Sequence, residues 1–142
     1  MIFMPDRITK KQRSYNMSRI HSKETSIEKK VRKYLYHHGF RYRKNVKDLP
    51  GTPDIVIDKY RVVIFINGCF WHQHYGCKYA VLPKSHAEYW KAKLTRNVER
   101  DIEVYQELKQ MDYRVMVVWE CEIKEVFEYR MKELIEEIRS GD

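Results

Sequence analysis

The chain of 142 residues is poor in cysteine, glycine and proline. Three cysteines, an odd number, are too few for a disulfide scaffold, and five glycines with four prolines exclude a collagen-like or low-complexity chain. No apolar run approaches the roughly 20 residues that a membrane helix needs. The opening segment, MIFMPDRITKKQR, lacks the apolar stretch of a signal peptide. We therefore expect a cytoplasmic protein with reduced thiols and no membrane contact.

Positive charge is concentrated in the first third of the chain. Residues 1–50 carry 14 Lys and Arg against 4 Asp and Glu, whereas residues 51–142 are close to neutral. Such an asymmetry favours an anionic polymer such as nucleic acid as the partner, the alternative being a basic tail that only keeps the protein soluble. With 43% hydrophobic residues the chain has enough apolar side chains for one core. We expect a basic arm over 1–22 and a single domain over 23–142.

Hydrophobic spacing predicts an α/β fold with a central sheet. Capping-box patterns begin at Thr25 and Ser85, Gly39 is a suitable helix end, and 67–84 is predicted to be an irregular loop. The last helix is expected to turn Val126 inward. The predicted elements, in chain order, are a helix over 25–38, strands over 40–43, 54–58 and 61–66, a long helical stretch, straight or kinked, that follows the Ser85 capping box to about Met111, a strand over 113–119 and an acidic helix over 122–139.

Cysteine and histidine are clustered in the predicted loop. Cys69, His72, His74 and Cys77 lie within nine residues, and Cys121 follows the last predicted strand. Zinc takes four such ligands in a tetrahedron, so one of the five is left over, and spacing alone does not tell whether this is His72 or His74. The alternative is that the cysteines are small buried hydrophobic residues and the histidines lie on the surface.

Asp54 stands at the head of an apolar strand, after the turn Leu49–Pro53. A Pro-Asp pair in this position is typical of metal-dependent nucleases, in which the carboxylate binds Mg²⁺, but it also simply begins turns. Glu28 could reach the same ion or could serve only its capping box. The next strand lacks the usual acid-x-lysine pair, so Ile66 can offer only its backbone carbonyl. A histidine would then have to move protons.

Large aromatic residues accompany these polar clusters. The pairs Phe70-Trp71 and Tyr89-Trp90 suit stacking on bases or insertion between base pairs, and Met17 in the basic arm could act in the same way. The alternative is that the aromatic rings only fill the core around the zinc site.

Taken together, the motifs resemble the very short patch repair endonucleases, bacterial enzymes that nick DNA beside T·G mismatches. The resemblance spans roughly residues 11–138. The matching segments are Asn16-Met17, Thr25-Ser26-Ile27-Glu28-Lys29, Leu49-Pro50-Gly51-Thr52-Pro53-Asp54, Tyr60-Arg61-Val62-Val63-Ile64-Phe65, Gly68-Cys69-Phe70-Trp71-His72, Tyr89-Trp90, Asn97-Val98-Glu99-Arg100-Asp101 and Val117-Val118-Trp119-Glu120-Cys121. The chain differs from the family pattern at Ile66-Asn67, where threonine-histidine is common, and by one extra loop residue at Tyr75-Gly76.

The resemblance implies a restriction-endonuclease-like core, with a central mixed sheet flanked by helices and a zinc-stabilised loop. It implies Mg²⁺ on Asp54 and the Ile66 carbonyl, His72 as the catalytic imidazole, Glu28 as an acid acting through water, and Asp101 as a group that orients His72. One structural zinc ion is implied on Cys69, His74, Cys77 and Cys121.

The same resemblance implies residues that contact DNA, listed as Met17, Phe70, Trp71, Trp90, Lys93 and Asn97. The expected partner is double-stranded DNA with a T·G mismatch, with mismatch-repair proteins as further partners, and the expected state is a monomer. The expected activity is a nick 5′ to the mismatched T. The alternatives are a nuclease of the same fold without mismatch selectivity, and a zinc-stabilised DNA-binding module that has lost its chemistry.

Overall fold

A computed structural model describes residues 26–141, so the expected basic arm and Met17 lie outside the described residues. In this part of the chain, no helix combines the length and hydropathy needed to cross a membrane. The elements are α1 over 26–37, β1 Arg43–Lys44, β2 Ile55–Ile57, β3 Val62–Asn67, α2 Ala87–Gln110, β4 Arg114–Trp119, α3 Glu120–Glu125 and α4 Phe127–Arg139.

The four strands form one mixed sheet in the order β1-β2-β3-β4. The first three strands are antiparallel, and β4 pairs parallel to β3 over the whole length of both strands. The register places Ile55 opposite Ile64, and Asn67 beside Trp119 at the far end of the parallel pair. The expected mixed sheet flanked by helices is therefore confirmed.

Helices cover both faces of the sheet, so every side chain of β2 and β3 is buried. Ile55 and Ile57 point to one face, where they pack in a core with apolar residues of α1 and α4. Val56 points to the other face, where it packs with Leu108 of α2 and with Tyr113. Continuous apolar strands of this kind are typical of a sheet buried on both sides.

The predicted acidic helix over 122–139 is in fact two helices. The chain leaves helical geometry at Val126, with φ −137° and ψ 43°. Contrary to the prediction of an inward position, this side chain is 49% exposed. The Trp119 N–H donates to the Glu122 side chain at 2.8 Å, which begins α3 directly at the end of β4. Apolar spacing did not reveal the break because Ile123 and Phe127 stay on the inner side of both segments.

A buried arginine joins the two short helices to the sheet. Arg130 donates to the Val117 carbonyl of β4 at 3.1 Å and pairs with Glu122, Glu133 and Glu137 at 3.0–3.3 Å. A buried guanidinium requires compensation of its charge, which three carboxylates supply here. Nη1 and Nη2 donate hydrogen bonds, whereas Nε makes only the ion pair with Glu122. This network fixes the direction in which the chain leaves β4.

Two other predicted boundaries are wrong. The helix expected to begin at the Ser85 capping box starts at Ala87 instead, because its N-cap, His86, has the left-handed φ of 53° and makes no side-chain cap. It then runs without interruption to Gln110. The strand expected over 40–43 is reduced to β1, whose two residues are exposed at the edge of the sheet.

The turn before β2 packs directly against α2. Two hydrogen bonds join the ends of this turn. The Asn45 N–H donates to the Asp54 carbonyl at 3.0 Å, and the Val46 N–H donates to the Pro53 carbonyl at 3.1 Å. Gly51 has φ +73°, and a Cβ there would lie 2.5 Å from Val104 Cγ1. The turn therefore requires glycine for both its backbone angle and its close approach to the helix.

We expect Gly51→Ala to destabilise the protein more than Gly39→Ala. Both glycines have positive φ, but a Cβ at Gly39 meets nothing within 4 Å. The left-handed backbone costs alanine about 1–2 kcal/mol at either position, and the clash with Val104 adds about 1–3 kcal/mol at Gly51. Urea unfolding of both variants measures the difference. Equal losses would show that the turn moves away from α2 at no cost.

Candidate active site and metal-binding cluster

The parallel pairing of β3 and β4 brings the cysteines together. Cys69 and Cys121 each follow the last residue of their strand by two positions, and those last residues, Asn67 and Trp119, are neighbours in the sheet. The ligand atoms of the cluster lie within 4.8 Å of one another, and its members are Cys69, His74, Cys77 and Cys121. Such a cluster could hold zinc. The histidine in it is His74, which answers the question that spacing left open.

Backbone hydrogen bonds shape the loop around this cluster. The His72 and His74 N–H groups donate to the Gly68 and Cys69 carbonyls at 3.1 and 2.9 Å, and the Cys77 N–H donates to the His74 carbonyl at 3.1 Å. His74 directs Nδ1 at the sulfur atoms, 3.4 Å from Cys121 Sγ and 3.7 Å from Cys69 Sγ. Its ring stacks on Trp119 with centroids 4.2 Å apart. The imidazole is therefore already oriented as a ligand.

Two thiols of the cluster, those of Cys69 and Cys121, lie in surroundings that favour their protonated form. Burial raises the pKa of Cys69 and of Cys121 above the ordinary thiol value, and neighbouring Cys77 raises it further. A metal binds the thiolate, so it must displace these protons and then compensates the charge that burial disfavours. The chemistry of the donor set fits a soft or borderline ion such as zinc.

Asp54 directly precedes β2, at the edge of the sheet where β3 ends. Its Oδ2 accepts a hydrogen bond from the Ile66 N–H of β3 at 2.7 Å. Burial raises the pKa of Asp54 to about 7, the Ile66 bond opposes this shift, the neighbouring Glu28 carboxyl adds to it, and His72 lowers it. Glu28, which also lies 3.5 Å from Arg32 Nη1, and His72 are therefore close enough to Asp54 to act on its charge.

His72 is not part of the cysteine cluster and contacts α2. Its Nδ1 lies 2.6 Å from Asp101 Oδ2, although the two residues are 29 positions apart in sequence. A carboxylate that accepts from Nδ1 fixes the tautomer and leaves Nε2 as the nitrogen that can take a proton. The structure thus places Glu28, Asp54, His72 and Asp101 around one edge of the sheet.

The three aromatic residues expected at DNA pack against one another. The ring centroids of Phe70, Trp71 and Trp90 are 5.2–5.9 Å apart, with edge-on contacts. Phe70 and Trp90 are buried, whereas Trp71 is partly exposed. Trp71 is held by its carbonyl, which accepts from Asn97 Nδ2 of α2 at 3.1 Å. Among the described residues, Trp71 is therefore the ring of this trio that reaches the surface.

Lys93 and Asn97 lie one turn apart on α2, and Asp101 follows Asn97 by four residues. This spacing places all three on one face of the helix, and both Lys93 and Asn97 are partly exposed. Next to this face lies a shallow cavity of about 250 Å³, lined by Gln73, Leu82, Lys91, Leu94, Thr95 and Val98.

Sequence analysis missed three polar residues beside the site. Arg32 is buried one helical turn after Glu28. Asn67 is buried at the end of β3, and its Nδ2 donates to the Tyr105 hydroxyl at 3.0 Å. The signals were the i,i+4 spacing of Arg32 from Glu28 and of Tyr105 from Asp101, which puts each pair on one helix face.

A mixed sheet flanked by helices, with carboxylates and an imidazole gathered at one edge beside a Cys/His cluster, fits a protein of the restriction-endonuclease-like class. Comparisons with known proteins agree. The family model described as DNA mismatch endonuclease Vsr matches residues 5–78. The DNA mismatch endonuclease Vsr of Escherichia coli is 41% identical over 121 residues, covering 85% of this chain and 77% of that protein.

Two further relatives cover almost the whole chain. The type II nicking enzyme V.NmeAIP of Neisseria meningitidis is 48% identical over 140 residues, covering 97% of this chain and 99% of its own length. The type II nicking enzyme V.XorIIP of Xanthomonas oryzae is 43% identical over 135 residues, covering 94% of this chain and 98% of its own length. The chain belongs to the Vsr family of DNA mismatch endonucleases and is a DNA endonuclease.

Replacing one sulfur ligand should empty the metal cluster. We expect the wild-type protein to carry about one zinc ion per chain and Cys121→Ser to carry much less and to unfold at lower temperature, because metal binding stabilises the loop. Metal analysis and thermal unfolding measure both effects. His37→Ala, which removes an exposed histidine outside the cluster, is the control. Full metal content in Cys121→Ser would exclude this ligand set.

Proposed function

We propose that the chain nicks one strand of duplex DNA 5′ to the T of a T·G mismatch, in very short patch repair. The observation that carries this proposal is the approach of the His72–Asp101 pair to Asp54 and Glu28 at the edge of the sheet. Membership of the Vsr family and the name of the Escherichia coli relative support the mismatch as the target. The reaction is hydrolysis of a phosphodiester.

The carboxylates fit a hard cation. Asp54 and Glu28 are close together with Asp54 buried, and this arrangement disfavours two negative charges unless a cation lies between them. Asp54, Glu28 and the Ile66 carbonyl offer the oxygen ligands that Mg²⁺ prefers. When bound, Mg²⁺ stabilises negative charge on the scissile phosphate and makes water easier to deprotonate.

His72 supplies the proton transfer that other nucleases assign to an acid-lysine pair. Asp101 accepts from Nδ1 of His72, so Nε2 takes a proton from the attacking water or returns one to the leaving oxygen. The negative charge of Asp101 stabilises the imidazolium that forms during this transfer. Asp101 is therefore the group that orients the imidazole.

We assign a structural zinc ion to Cys69, His74, Cys77 and Cys121. Four protein ligands would complete a tetrahedral zinc site, so an ion bound there would stabilise the loop and take no part in hydrolysis. That loop carries His72 and Trp71 between its first two ligands. The four ligands would thus hold the segment that carries both the catalytic imidazole and the exposed aromatic ring. Reduced thiols of this kind fit the bacterial cytoplasm.

The DNA is held by positive charge and opened by aromatic rings. The basic first third of the chain neutralises phosphates, and Lys93 and Asn97 face the mismatched pair. Trp71, supported by Phe70 and Trp90, enters the base stack, and Met17 enters it from the arm. A T·G wobble pair is already displaced, so opening the stack beside it costs less than beside a matched pair. We expect a monomer on DNA, with mismatch-repair proteins as further partners.

Two relatives carry the name type II nicking enzyme, which keeps a second function open. In that case the chain would nick at a sequence or structure without requiring a mismatch. A duplex library that differs only in the central pair separates the two functions. The proposal requires Mg²⁺-dependent nicking of T·G duplexes, with A·C and matched T·A duplexes left intact. Equal nicking of all three duplexes would support the second function. If no duplex is nicked, the chain is a DNA-binding module without nuclease activity.

Removing the charge of Asp54 should abolish nicking and spare binding. Asp54→Asn keeps an oxygen that can accept from the Ile66 N–H, so the fold should persist. Loss of the ion's carboxylate should lower the rate by about 10³-fold or more. Gel-based nicking and a binding titration on a T·G duplex measure the two effects. Asp48→Asn, at an exposed acid, is the control. Nicking near the wild-type rate would remove Asp54 from the mechanism.

Trp71→Ala should weaken binding to a T·G duplex more than to a matched duplex. Stacking of one base on an aromatic ring contributes about 1–3 kcal/mol, so the loss on the T·G duplex should be about tenfold or more. Fluorescence anisotropy with both duplexes measures the ratio. Tyr129→Ala removes a 72% exposed ring from α4 as the control. An equal loss on both duplexes would show that Trp71 only packs.

A further inference from the structure

The two histidines of the Cys/His loop lie on either side of a residue with left-handed backbone geometry. Gln73 has a φ of 49°. The His74 N–H donates to the Cys69 carbonyl at 2.9 Å, and the Gln73 N–H donates to the Phe70 carbonyl at 3.3 Å. This is the hydrogen-bond pattern of a Schellman helix end, in which the left-handed position is usually glycine and sometimes asparagine. The chain therefore has an unfavourable residue type at this position.

The left-handed residue divides the loop into two turns. His72 lies at the end of the first turn, and its Nδ1 lies 2.6 Å from Asp101 Oδ2 of α2. His74 begins the second turn, which the bond from the Cys77 N–H to the His74 carbonyl closes, and its ring contacts sulfur atoms of the cluster. Gln73 is thus the junction between the imidazole proposed for proton transfer and the proposed metal ligands.

The side chain of Gln73 folds back over the first turn. Its Nε2 donates to the Phe70 carbonyl at 2.7 Å, closer than the backbone N–H that shares this acceptor. The next carbonyl, that of Trp71, accepts from Asn97 Nδ2 at 3.1 Å. Carbonyls in the last turn of a helical segment have no partner within it, and side chains can supply one. Two amide side chains therefore hold the peptide groups on both sides of Trp71, directly before His72.

Glutamine suits this position through its side chain and not through its backbone. Glycine would adopt the positive φ freely, so a residue that only ended the turn would be better as glycine. What Gln73 adds is the amide that reaches the Phe70 carbonyl. Residues in sparsely populated backbone regions are concentrated at functional sites. The bond from Nε2 is therefore the feature of this turn to which a function can be assigned.

We propose that Gln73 is a positioning residue, which holds His72 at Asp101 through its amide bond to the Phe70 carbonyl. The side chain of His72 is 32% exposed, so packing against its neighbours confines the imidazole only in part. The amide fixes the turn from which this imidazole reaches α2. A catalytic group acts efficiently only when it is held in the geometry of the reaction. This inference rests on the proposed role of His72 in nicking.

The test is Gln73→Met, which keeps the length of the side chain and its backbone cost but removes the donor. Single-turnover nicking of the T·G duplex with Mg²⁺ should slow by about tenfold, since a displacement of about 1 Å can cost about 100-fold. Zinc content and affinity for the duplex should stay close to those of the wild type, because the proposed ligands and Trp71 remain. Gln106→Met makes the same exchange at an exposed position of α2 and is the control.

A second variant, Gln73→Gly, separates the amide from the backbone angle. Glycine takes the positive φ without the cost of a Cβ, so this variant should unfold at a temperature no lower than that of Gln73→Met. It should nick as slowly as Gln73→Met, because it also lacks the donor. Nicking by Gln73→Gly at the wild-type rate would show that the amide is not needed and would overturn the proposal.

A further readout does not depend on activity. The short bond between His72 and Asp101 should give a proton resonance far downfield for the Nδ1–H, which His72→Ala removes and so assigns. In zinc-bound protein without added Mg²⁺, this proton should exchange with water faster in Gln73→Met than in the wild type. Gln106→Met should leave the exchange unchanged. Equal exchange in Gln73→Met and the wild type would contradict the proposal.

The outcomes distinguish a failure of this inference from a failure of the proposed function. If the wild type nicks the T·G duplex and Gln73→Met nicks it equally fast, Gln73 is not a positioning residue. If Gln73→Met loses zinc or DNA affinity together with rate, its role is structural and the inference is also wrong. If the wild type nicks no duplex, the proposed function fails, and the exchange of the His72 proton still decides whether the amide holds the imidazole.

Discussion

The parallel pairing of β3 with β4 is the constraint on which the site depends. The two strands end side by side at Asn67 and Trp119, so the chain leaves both at the same edge of the sheet. Cys69 and Cys121, each two residues further on, meet there, with Cys121 in the first turn of α3. The core on both faces of the sheet stabilises this pairing, and the network of Arg130 fixes the exit from β4.

The same edge also carries an electrostatic cost. Asp54 directly precedes β2, which runs antiparallel to β3, so its carboxylate lies beside Ile66 and not at the opposite end of the sheet. Burial and the proximity of Glu28 disfavour its ionised form. Functional sites commonly retain such unfavourable groups, and the surrounding fold offsets them. In the proposed mechanism, a cation bound between the two carboxylates would also relieve this repulsion.

Local sequence predicted the parts of the fold that depend on local periodicity. The apolar strands β2, β3 and β4 and the helix α1 lie within a few residues of the predicted ranges, because burial on both faces leaves a continuous apolar signal. The break at Val126 and the late start of α2 after His86 were not predictable, since tertiary bonds and one backbone angle decide them. The approach of His72 to Asp101 likewise depends on where α2 crosses the sheet.

Two histidines two residues apart show how the loop separates two kinds of chemistry. His74 turns to three sulfur atoms and to the face of Trp119, whereas His72 turns to carboxylates. Thiolates select a borderline ion such as zinc, and carboxylates with a backbone carbonyl select Mg²⁺, so each ion is disfavoured at the other's position. In the proposed mechanism, His74 serves the metal cluster and His72 is the imidazole left for proton transfer.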